Sequence, residues 1–166
     1  MSQNEHAGPK ELFERLDKLS INYKTLHHEP VYTVKEAQTI RGDLPGGHSK
    51  NLFLRNKKGK LWLVTCEEQV TVDLKLLATR LEAGRLSFGS PELLHMHLGV
   101  IPGAVTPFAV INDFSRNVDM ILDRKLLSFE ILNFHPLVNT QTTSVQPSGL
   151  LKFLGSCQHA PQIIDM

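Results

Sequence analysis

The chain has 166 residues, of which 41% are apolar, so it is long enough for one domain with a sizeable core. Its formal net charge of +1 argues against a nucleic-acid binder that relies on a strongly basic face, but it permits a small basic patch. Cys66 and Cys157 lie far apart and outside any Cys-x-x-Cys pair, which indicates neither a zinc knuckle nor a redox dithiol. The start of the chain is polar and no segment reaches the length of a membrane span, so we expect a soluble, reduced, cytoplasmic protein.

The first third of the chain carries signals for a helix, a strand and a second helix. Pro9 opens an amphipathic helix whose apolar stripe is Leu12, Phe13, Leu16 and Leu19. Residues 22–28 alternate as in a short strand. Thr33 and Glu36 form a capping-box signature for a helix over residues 34–40 that Gly42 closes. Because that helix leads into the turn before residue 50, we expect it to form one wall of any site there.

The middle of the chain contains the clearest hairpin signal. Residues 51–56 and 60–66 are two strand-like runs joined by a short turn that contains glycine. The second run is apolar on both faces, which predicts a strand covered on both sides. Asp73 is expected to cap a helix that ends near Gly84, and residues 85–88 are expected to form a short strand.

The second half alternates between helices, strands and one unusual loop. Ser90 and Pro91 open a helix that runs through His97. Residues 98–107 contain two glycines and two prolines, which indicates a rigid loop with exposed amides before a strand over residues 108–111. Further strands are predicted over 118–122 and 130–134, and a closing helix over 147–154. With no internal repeat or linker, residues 1–166 are expected to form one α+β domain.

A glycine-rich turn over residues 45–49 runs into the first strand of the hairpin at Lys50. Side chains alternate along a strand, so Lys50 shares its face with Leu52 and Leu54, whereas Asn51 points the other way. A lysine in register with an apolar face either extends to solvent at the strand's end or points its ammonium into a pocket. The glycines leave room for a ligand to approach, and the Lys50-Asn51 pair supplies donors and one amide acceptor.

Several familiar catalytic arrangements are absent from the sequence. His95 and His97 are two apart on a predicted helix, and His27 and His28 alternate on a predicted strand, so neither pair converges on a metal ion. There is no Gly-x-Ser-x-Gly elbow, no phosphate-binding loop and no dinucleotide fingerprint. The sequence therefore predicts no metal site and no familiar hydrolase nucleophile.

Three features remain as candidates for chemistry: the Lys50-Asn51 pair, the loop over residues 99–103 and the polar run over residues 135–144. Each has a purely structural alternative. The loop can be a helix end followed by a proline stop, and His135 can be a solvated strand end. Composition does not say whether the three converge in space.

Three segments, in this order, resemble those of the YbaK/ProX superfamily. They are PGGHSKNLFLR at 45–55, LGVIPGAVTPF at 98–108 and FHPLVNT at 134–140. The resemblance extends from about residue 12 to residue 164 and is greatest to free-standing members related to the editing domain inserted in bacterial prolyl-tRNA synthetases. It implies a mixed, mainly antiparallel sheet curled toward a barrel, with helices packed outside. It also implies hydrolysis of alanine mis-attached to tRNA(Pro), with no metal and no cofactor.

The resemblance implies roles for individual residues. Lys50 matches the family's essential lysine, Asn51 its neighbour in substrate binding, and His135 a pocket histidine. The substrate-binding loop of the family, of Gly-x-x-x-Pro type, is matched by Gly99, Val100, Ile101, Pro102 and Gly103. Pro102 falls one place earlier than that spacing. Ser49 stands where many relatives carry cysteine, which suggests that this position takes no part in the chemistry.

The partner implied is the acceptor end of mischarged tRNA(Pro), with transient contact to prolyl-tRNA synthetase or an elongation factor and no membrane. Lys50 is expected to contact the RNA from within the site and Arg85 from outside it. The hairpin lysines are either further contacts or a solvated turn: Lys57, Lys58 and Lys60. Two alternatives stay open, namely a deacylase of the same fold for cysteinyl-tRNA(Pro) and a non-catalytic module that binds tRNA ends or small molecules. The intact Lys50 and loop argue against the second.

Overall fold

The computed structural model describes residues 5–30, 33, 35–36 and 44–166. Of the helix predicted over residues 34–40, the capping contact lies in this range, because the Glu36 amide donates to Thr33 Oγ1 at 3.0 Å. The rest of that helix, with Gly42, lies outside the described residues. No helix in the described part is long and apolar enough to cross a membrane.

Four α-helices have both ends within the described residues: α1 (Pro9–Lys18), α2 (Leu74–Arg80), α3 (Pro91–Leu98) and α4 (Pro147–Ser156). The same ranges contain eight strands, which are β1 (Tyr23–His27), β2 (Gly47–Arg55), β3 (Leu61–Glu67), β4 (Ser87–Phe88), β5 (Val118–Asp123), β6 (Leu132–Phe134), β7 (Gln141–Val145) and β8 (Gln162–Ile164). Short 3₁₀ helices span Pro102–Ala104, Pro107–Asn112 and Arg124–Ser128.

The helices begin where the sequence predicts. Pro9 occupies the first turn of α1, whose Leu12 and Leu16 are fully buried. The side chains of Asp73 and Ser90 accept backbone amides in the first turns of α2 and α3, at 3.0 to 3.2 Å. These bonds satisfy amides that a helix start otherwise leaves unpaired.

The strands form one mixed sheet in the order β1-β7-β6-β2-β3-β5-β8, with β4 paired to β2. The pairs β1/β7, β6/β7, β2/β3 and β2/β4 are antiparallel, and β2/β6, β3/β5 and β5/β8 are parallel. The sheet curls without closing, because β1 and β8 stand at its two ends and are not paired with each other. The expected fold class, a mixed and mainly antiparallel sheet with flanking helices, is confirmed.

Both faces of the central sheet are covered by helices. Phe53, Leu63 and Leu122 pack with the apolar stripes of α1, α3 and α4 in the larger core. Leu54 and Trp62, on the opposite face, pack against α2 in a smaller core. All seven residues of β3 are buried, which confirms the prediction of a strand covered on both sides.

Residues 108–111 are not the predicted strand but part of the 3₁₀ helix Pro107–Asn112. Thr106 Oγ1 accepts the Phe108 amide at 3.3 Å, and Pro107 takes the first helical position. All six residues of this helix are buried. A short apolar run reads alike as a buried strand or a buried helical turn, so the sequence pattern did not distinguish the two.

Other differences concern the ends of elements and the polar run. Helix α2 ends at Arg80 and not near Gly84, and the strand predicted over residues 85–88 is confined to β4. The polar run supplies β7 (Gln141–Val145). The Thr143 side chain points inward and is fully buried, and its Oγ1 shares a hydrogen bond of 2.9 Å with Thr25 Oγ1. The three residues of β8 carry too short a pattern to predict a strand.

Candidate functional site

The glycine-rich turn before Lys50 is shaped by the neighbouring chain. Gly46 has φ of 106°, and a Cβ at this position would lie 2.7 Å from the Ile131 carbonyl oxygen. A Cβ on Gly47 would lie 2.7 Å from the Phe129 ring. The glycines therefore allow residues 129–131 to approach β2, and the room that the sequence suggested for a ligand is occupied here by protein.

Asn133 fastens this turn to the adjacent strand. Its Nδ2 donates to the carbonyl oxygens of Pro45 and Gly47, at 3.0 and 3.2 Å, and its Oδ1 accepts from Ser144 Oγ at 2.6 Å. A buried amide that bonds both neighbouring segments fixes the start of β2. The position of Lys50, three residues further along, follows from this anchor.

Lys50 lies on β2, and His135 directly follows β6, the strand that pairs with the start of β2. The parallel pairing of β2 with β6 matches Gly47 with Leu132 and His48 with Asn133, and ends there. Lys50 and His135 each follow the second pair by two residues. The topology thus makes neighbours of the two segments that lead to Lys50 and His135, which are far apart in the chain.

The half-buried Lys50 lies opposite Cys66 in the β2/β3 register. The Cys66 thiol donates to the Lys50 carbonyl oxygen at 3.8 Å. Burial raises the pKa of Cys66 to about 11, although the Lys50 ammonium works in the opposite direction. Among the described residues no carboxylate forms a salt bridge with Lys50, and Cys66 beside it remains a protonated thiol.

This environment predicts the order in which the cysteines react. In the folded protein at pH 8, iodoacetamide should leave Cys66 unmodified, because it is fully buried and its thiolate fraction is about 0.1%. Cys157 is half-buried, and burial raises its pKa as well, so it should react slowly. Peptide mass spectrometry before and after unfolding in urea measures both sites, and equal labelling of Cys66 in the two states would contradict the prediction.

Asn51 points to the opposite face from Lys50. Its Oδ1 accepts from Thr65 Oγ1 at 2.6 Å, and its Nδ2 donates to Ser49 Oγ at 3.4 Å. The amide acceptor that the sequence offered to a ligand is thus occupied by Thr65. The second Nδ2 hydrogen of Asn51 has no hydrogen-bond partner among the described residues, since an amide nitrogen carries two.

His135 is held in one neutral tautomer. Its Nδ1 lies 3.0 Å from the Gln141 carbonyl oxygen, which only accepts, so Nδ1 carries the proton. Burial lowers the pKa of His135 despite this hydrogen bond, and the nearby His28 lowers it further. The neutral ring therefore has its lone pair on Nε2, the nitrogen suited to accept a hydrogen bond.

His28 stands beside His135 and was not singled out from the sequence. The two ring centroids are 6.3 Å apart, and His28 Nε2 lies 2.8 Å from Thr142 Oγ1. The β1/β7 and β6/β7 pairings bring these residues together, because β7 lies between the other two strands. An adjacent pair of histidines on a predicted strand carried no signal for this arrangement.

The loop over residues 99–103 is fastened to α3 and to the start of the chain. Gly99 ends α3 with φ of 69°, and a Cβ there would lie 2.7 Å from both Asn112 Nδ2 and the His6 side chain. The Gly99 amide donates to the His95 carbonyl oxygen, and Val100 is buried in the larger core. Within the described ranges no hydrogen bond joins this loop to Lys50, Asn51 or His135.

Arg85 is exposed and lies far from Lys50. It precedes β4, which pairs with Leu54 and Arg55 at the other end of β2. Arg55, the β2 residue paired with Ser87, is five strand positions from Lys50, which corresponds to roughly 17 Å. Of the hairpin lysines, Lys60 forms a salt bridge of 3.0 Å with Asp119, and Lys57 and Lys58 are exposed.

No group of three or more histidine, cysteine, aspartate or glutamate side chains suited to a metal ion is found in residues 5–30, 33, 35–36 and 44–166. His95 contacts His6 edge to face at 5.0 Å, and His28 contacts His135.

Comparison with known proteins gives one consistent family. The model of the aminoacyl-tRNA editing domain matches residues 28–153. The chain is 36% identical over 141 residues to the prolyl-tRNA editing protein ProX of Acetoanaerobium sticklandii, covering 84% of this chain and 86% of that protein. It is 37% identical over 158 residues to the prolyl-tRNA synthetase associated domain-containing protein 1 of Danio rerio, covering 94% of this chain and 86% of that protein.

The structural comparison agrees in fold. A crystal structure of a protein described as a trans-editing enzyme for prolyl-tRNA synthetase superposes on this chain with a TM-score of 0.73 at 20% identity. The match covers 99% of this chain and 97% of that one. The matched region contains Lys50, the 99–103 loop and His135, the features that the sequence singled out. The chain belongs to the aminoacyl-tRNA editing domain family.

Proposed function

We propose that this protein hydrolyses the ester that joins alanine to tRNA(Pro), so that the wrong amino acid is removed from the tRNA before translation. Family membership carries the general activity, aminoacyl-tRNA editing by deacylation. The observation that supports a site on this chain is the parallel pairing of the start of β2, which leads to Lys50, with β6, which leads to His135. The partner is accordingly the acceptor end of the tRNA.

Lys50 binds and orients the RNA end in this proposal. Its ammonium is a compact point charge suited to a phosphate of the terminal nucleotides. An imine with the substrate is not required, because ester hydrolysis needs no electron sink. The Asn51 side chain points to the opposite face of β2, where it bonds Thr65 and Ser49, so in this proposal it holds the strand that carries Lys50 and does not reach the RNA end bound by Lys50.

The reaction adds water to the ester carbonyl and expels the ribose oxygen. Water attacks the carbonyl carbon, a tetrahedral oxyanion forms, and the bond to the ribose oxygen breaks, which gives alanine and a free tRNA hydroxyl. The vicinal ribose hydroxyl and His135 Nε2 orient the water, and the enzyme contributes mainly by positioning. A neutral His135 with its proton on Nδ1 has the lone pair needed for this contact.

The 99–103 loop is the proposed source of donors to the oxyanion. The amides of Gly99 and Ala104 already bond the carbonyl oxygens of His95 and Ile101. Among the described residues, the amides of Val100 and Ile101 make no hydrogen bond, so they are the candidates to bind the developing charge. Preorganised backbone donors of this kind stabilise the transition state without reorganisation.

Selection of alanine against proline rests on exclusion by size. One methylene in an apolar pocket is worth only about 1–3 kcal/mol, so attraction to a methyl group discriminates weakly. A cavity too small for the proline ring discriminates more strongly. The same argument leaves cysteine, close to alanine in size, as the main competing substrate.

Deacylation of alanyl-tRNA(Pro), cysteinyl-tRNA(Pro) and prolyl-tRNA(Pro) tests the proposal. We expect rapid release of alanine and retention of proline. Preferential loss of cysteine would identify a deacylase of the sister specificity. Persistence of all three esters would favour a non-catalytic module that binds tRNA ends.

A further inference from the structure

One edge of β2 is left without a neighbouring strand beside the candidate site. On that edge the pairing with β6 covers Gly47 and His48, and the pairing with β4 covers Leu54 and Arg55. Among the described residues, no strand pairs with this edge over residues 49–52. The interval corresponds to roughly 13 Å of strand.

Hydrogen bonds at its two ends show which main-chain groups face this interval. The Gly47 amide donates to the Ile131 carbonyl oxygen, on the β6 side, at 2.8 Å. The Phe53 carbonyl oxygen accepts from the Gly89 amide, next to β4, at 2.9 Å. Successive residues of a strand direct their amides and carbonyls to alternate edges, so the odd-numbered residues of β2 face this edge. Asn51 therefore directs both of its main-chain groups into the interval.

The interval presents a row of alternating acceptors and donors. In chain order these groups are the Ser49 carbonyl, the Asn51 amide, the Asn51 carbonyl and the Phe53 amide. None of them makes a hydrogen bond within the described ranges. Because main-chain groups of a folded protein are nearly always paired, such a row is suited to a ligand that supplies the missing partners.

The accessible part of this row lies on either side of Lys50. Ser49 and Asn51 are half-buried, whereas Phe53 is only 5% exposed. The Ser49 carbonyl and the Asn51 amide thus form an acceptor and a donor that a ligand can reach together. A ligand bound there lies next to the ammonium assigned to the RNA end.

We propose that the Ser49 carbonyl and the Asn51 amide bind the terminal adenine of the tRNA through its Watson–Crick edge. The N6 amino group donates to the Ser49 oxygen, and N1 accepts from the Asn51 amide. The statement rests on the proposed function, which supplies an RNA end as the ligand, and every tRNA ends in adenosine. Guanine presents an acceptor and a donor in the reverse order, so it would set like groups against each other.

The amino acid is a poorer match for these groups than the base. The ammonium of an alanyl ester has donors and no acceptor, so it would leave the Asn51 amide without a partner. An unsatisfied donor at a binding site is costly. The alternation of donor and acceptor therefore favours the adenine.

Alanylated minihelices of the tRNA(Pro) acceptor stem that differ only in the terminal base test the proposal. 1-Deazaadenosine lacks the N1 acceptor and purine riboside lacks the N6 amino group, whereas 7-deazaadenosine keeps both and is the matched control. Loss of one neutral hydrogen bond should reduce kcat/KM by about tenfold for the first two ends, mainly through KM. The control should follow adenosine. Equal rates with all four ends, or an equal loss with 7-deazaadenosine, would overturn the proposal.

Binding of the uncharged minihelices, measured by fluorescence anisotropy, is independent of hydrolysis. The affinities should follow the same order as the rates. Normal hydrolysis of the adenosine-ended ester without this order would reject the adenine contact and keep the proposed function. The expected order in a protein that hydrolyses no ester would support the adenine contact and reject the proposed function.

Asn51→Pro tests the donor on the protein. Proline removes the amide and is tolerated in a strand where that amide faces an unpaired edge. Asn51→Ala is the control, because both variants lose the side-chain bond with Thr65 and only proline loses the amide. The ratio of affinities for adenosine and 1-deazaadenosine ends should fall to about one in Asn51→Pro and keep its wild-type value in Asn51→Ala. Equal ratios in the two variants would refute the role of the Asn51 amide.

Discussion

Lys50→Ala is expected to reduce deacylation of alanyl-tRNA(Pro) by about a hundredfold or more in kcat/KM, the scale seen when one preorganised electrostatic contact is lost from an active site. Of the lysine and arginine side chains on β2, that of Lys50 lies nearest to the end of the strand that pairs with β6. Its loss removes the contact that orients the RNA end, and a 1 Å displacement of a bound ester is costly. Single-turnover kinetics with excess enzyme separates this loss from weaker binding.

The controls distinguish a site effect from a general loss of charge. Lys57→Ala removes an exposed hairpin lysine, so its rate should stay near that of wild type. Lys50→Arg keeps the charge but not the compact ammonium, and should recover only part of the activity. Both Lys50 variants should unfold at nearly the wild-type urea concentration, because the side chain is only half-buried. A Lys50→Ala protein as active as wild type would refute the proposed site.

Asp113→Asn is expected to destabilise the fold by about 3–5 kcal/mol, because it leaves a buried charge without its partner. His159 Nε2 lies 2.9 Å from Asp113 Oδ2, both side chains are 2% exposed, and His159 Nδ1 lies 2.7 Å from the Cys157 carbonyl oxygen. Both acceptors lack a proton, so both ring nitrogens must donate and the imidazole is charged. Asp113 also accepts the amides of Asn117 and Val118, at 3.1 and 2.8 Å.

The contribution of this ion pair should be confined to a pH window. Burial opposes both charges, but the bonds with His159 and with the two amides lower the pKa of Asp113 below 3.8. The bonds with Asp113 and Cys157 likewise raise the pKa of His159 above 6.5. A carboxyl group whose pKa is lower in the folded protein stabilises the fold at pH values above its unfolded pKa. An imidazole whose pKa is higher in the folded protein stabilises the fold at pH values below its unfolded pKa. The full contribution therefore lies between about pH 4 and 6.5 and declines on either side.

Urea unfolding from pH 4 to 9 measures this window. Wild type should lose stability above pH 6.5, and Asp113→Asn should lose much of that dependence. Asp119→Asn is the control, because it breaks the exposed Lys60 pair, which should be worth less than about 1 kcal/mol. Equal stability of Asp113→Asn and wild type at pH 6 would show that the buried pair does not hold the end of the chain in place.

Elements defined by neighbours in sequence were predictable from the chain. The start of α1 at Pro9, the caps Asp73 and Ser90, and the hairpin of β2 and β3 all depend on contacts within a few residues. The 3₁₀ helix Pro107–Asn112 was wrongly predicted as a strand because its apolar run is buried all round, which removes the periodicity that separates the two. The motif resemblance supplied the family because three ordered segments carry far more information than any one of them.

Other features depend on segments that are distant in sequence. Gly46 and Gly47 are explained by Ile131 and Phe129, which no local pattern connects with them. The pairs formed by Asp113 with His159 and by His28 with His135 join residues 46 and 107 positions apart. Such contacts follow from strand order, and strand order is set by the packing of the whole sheet.

The sequence by itself therefore determined the element boundaries near caps and turns, the family, and the identity of Lys50, the 99–103 loop and His135 as candidates. Only the tertiary structure decided that the segments leading to Lys50 and His135 are neighbours, that Asn51 bonds Thr65 on the opposite face of β2 from Lys50, and that Arg85 lies at the far end of β2. The reason is physical: backbone periodicity and capping act over a few residues, whereas the environment of a site depends on which distant strands become neighbours.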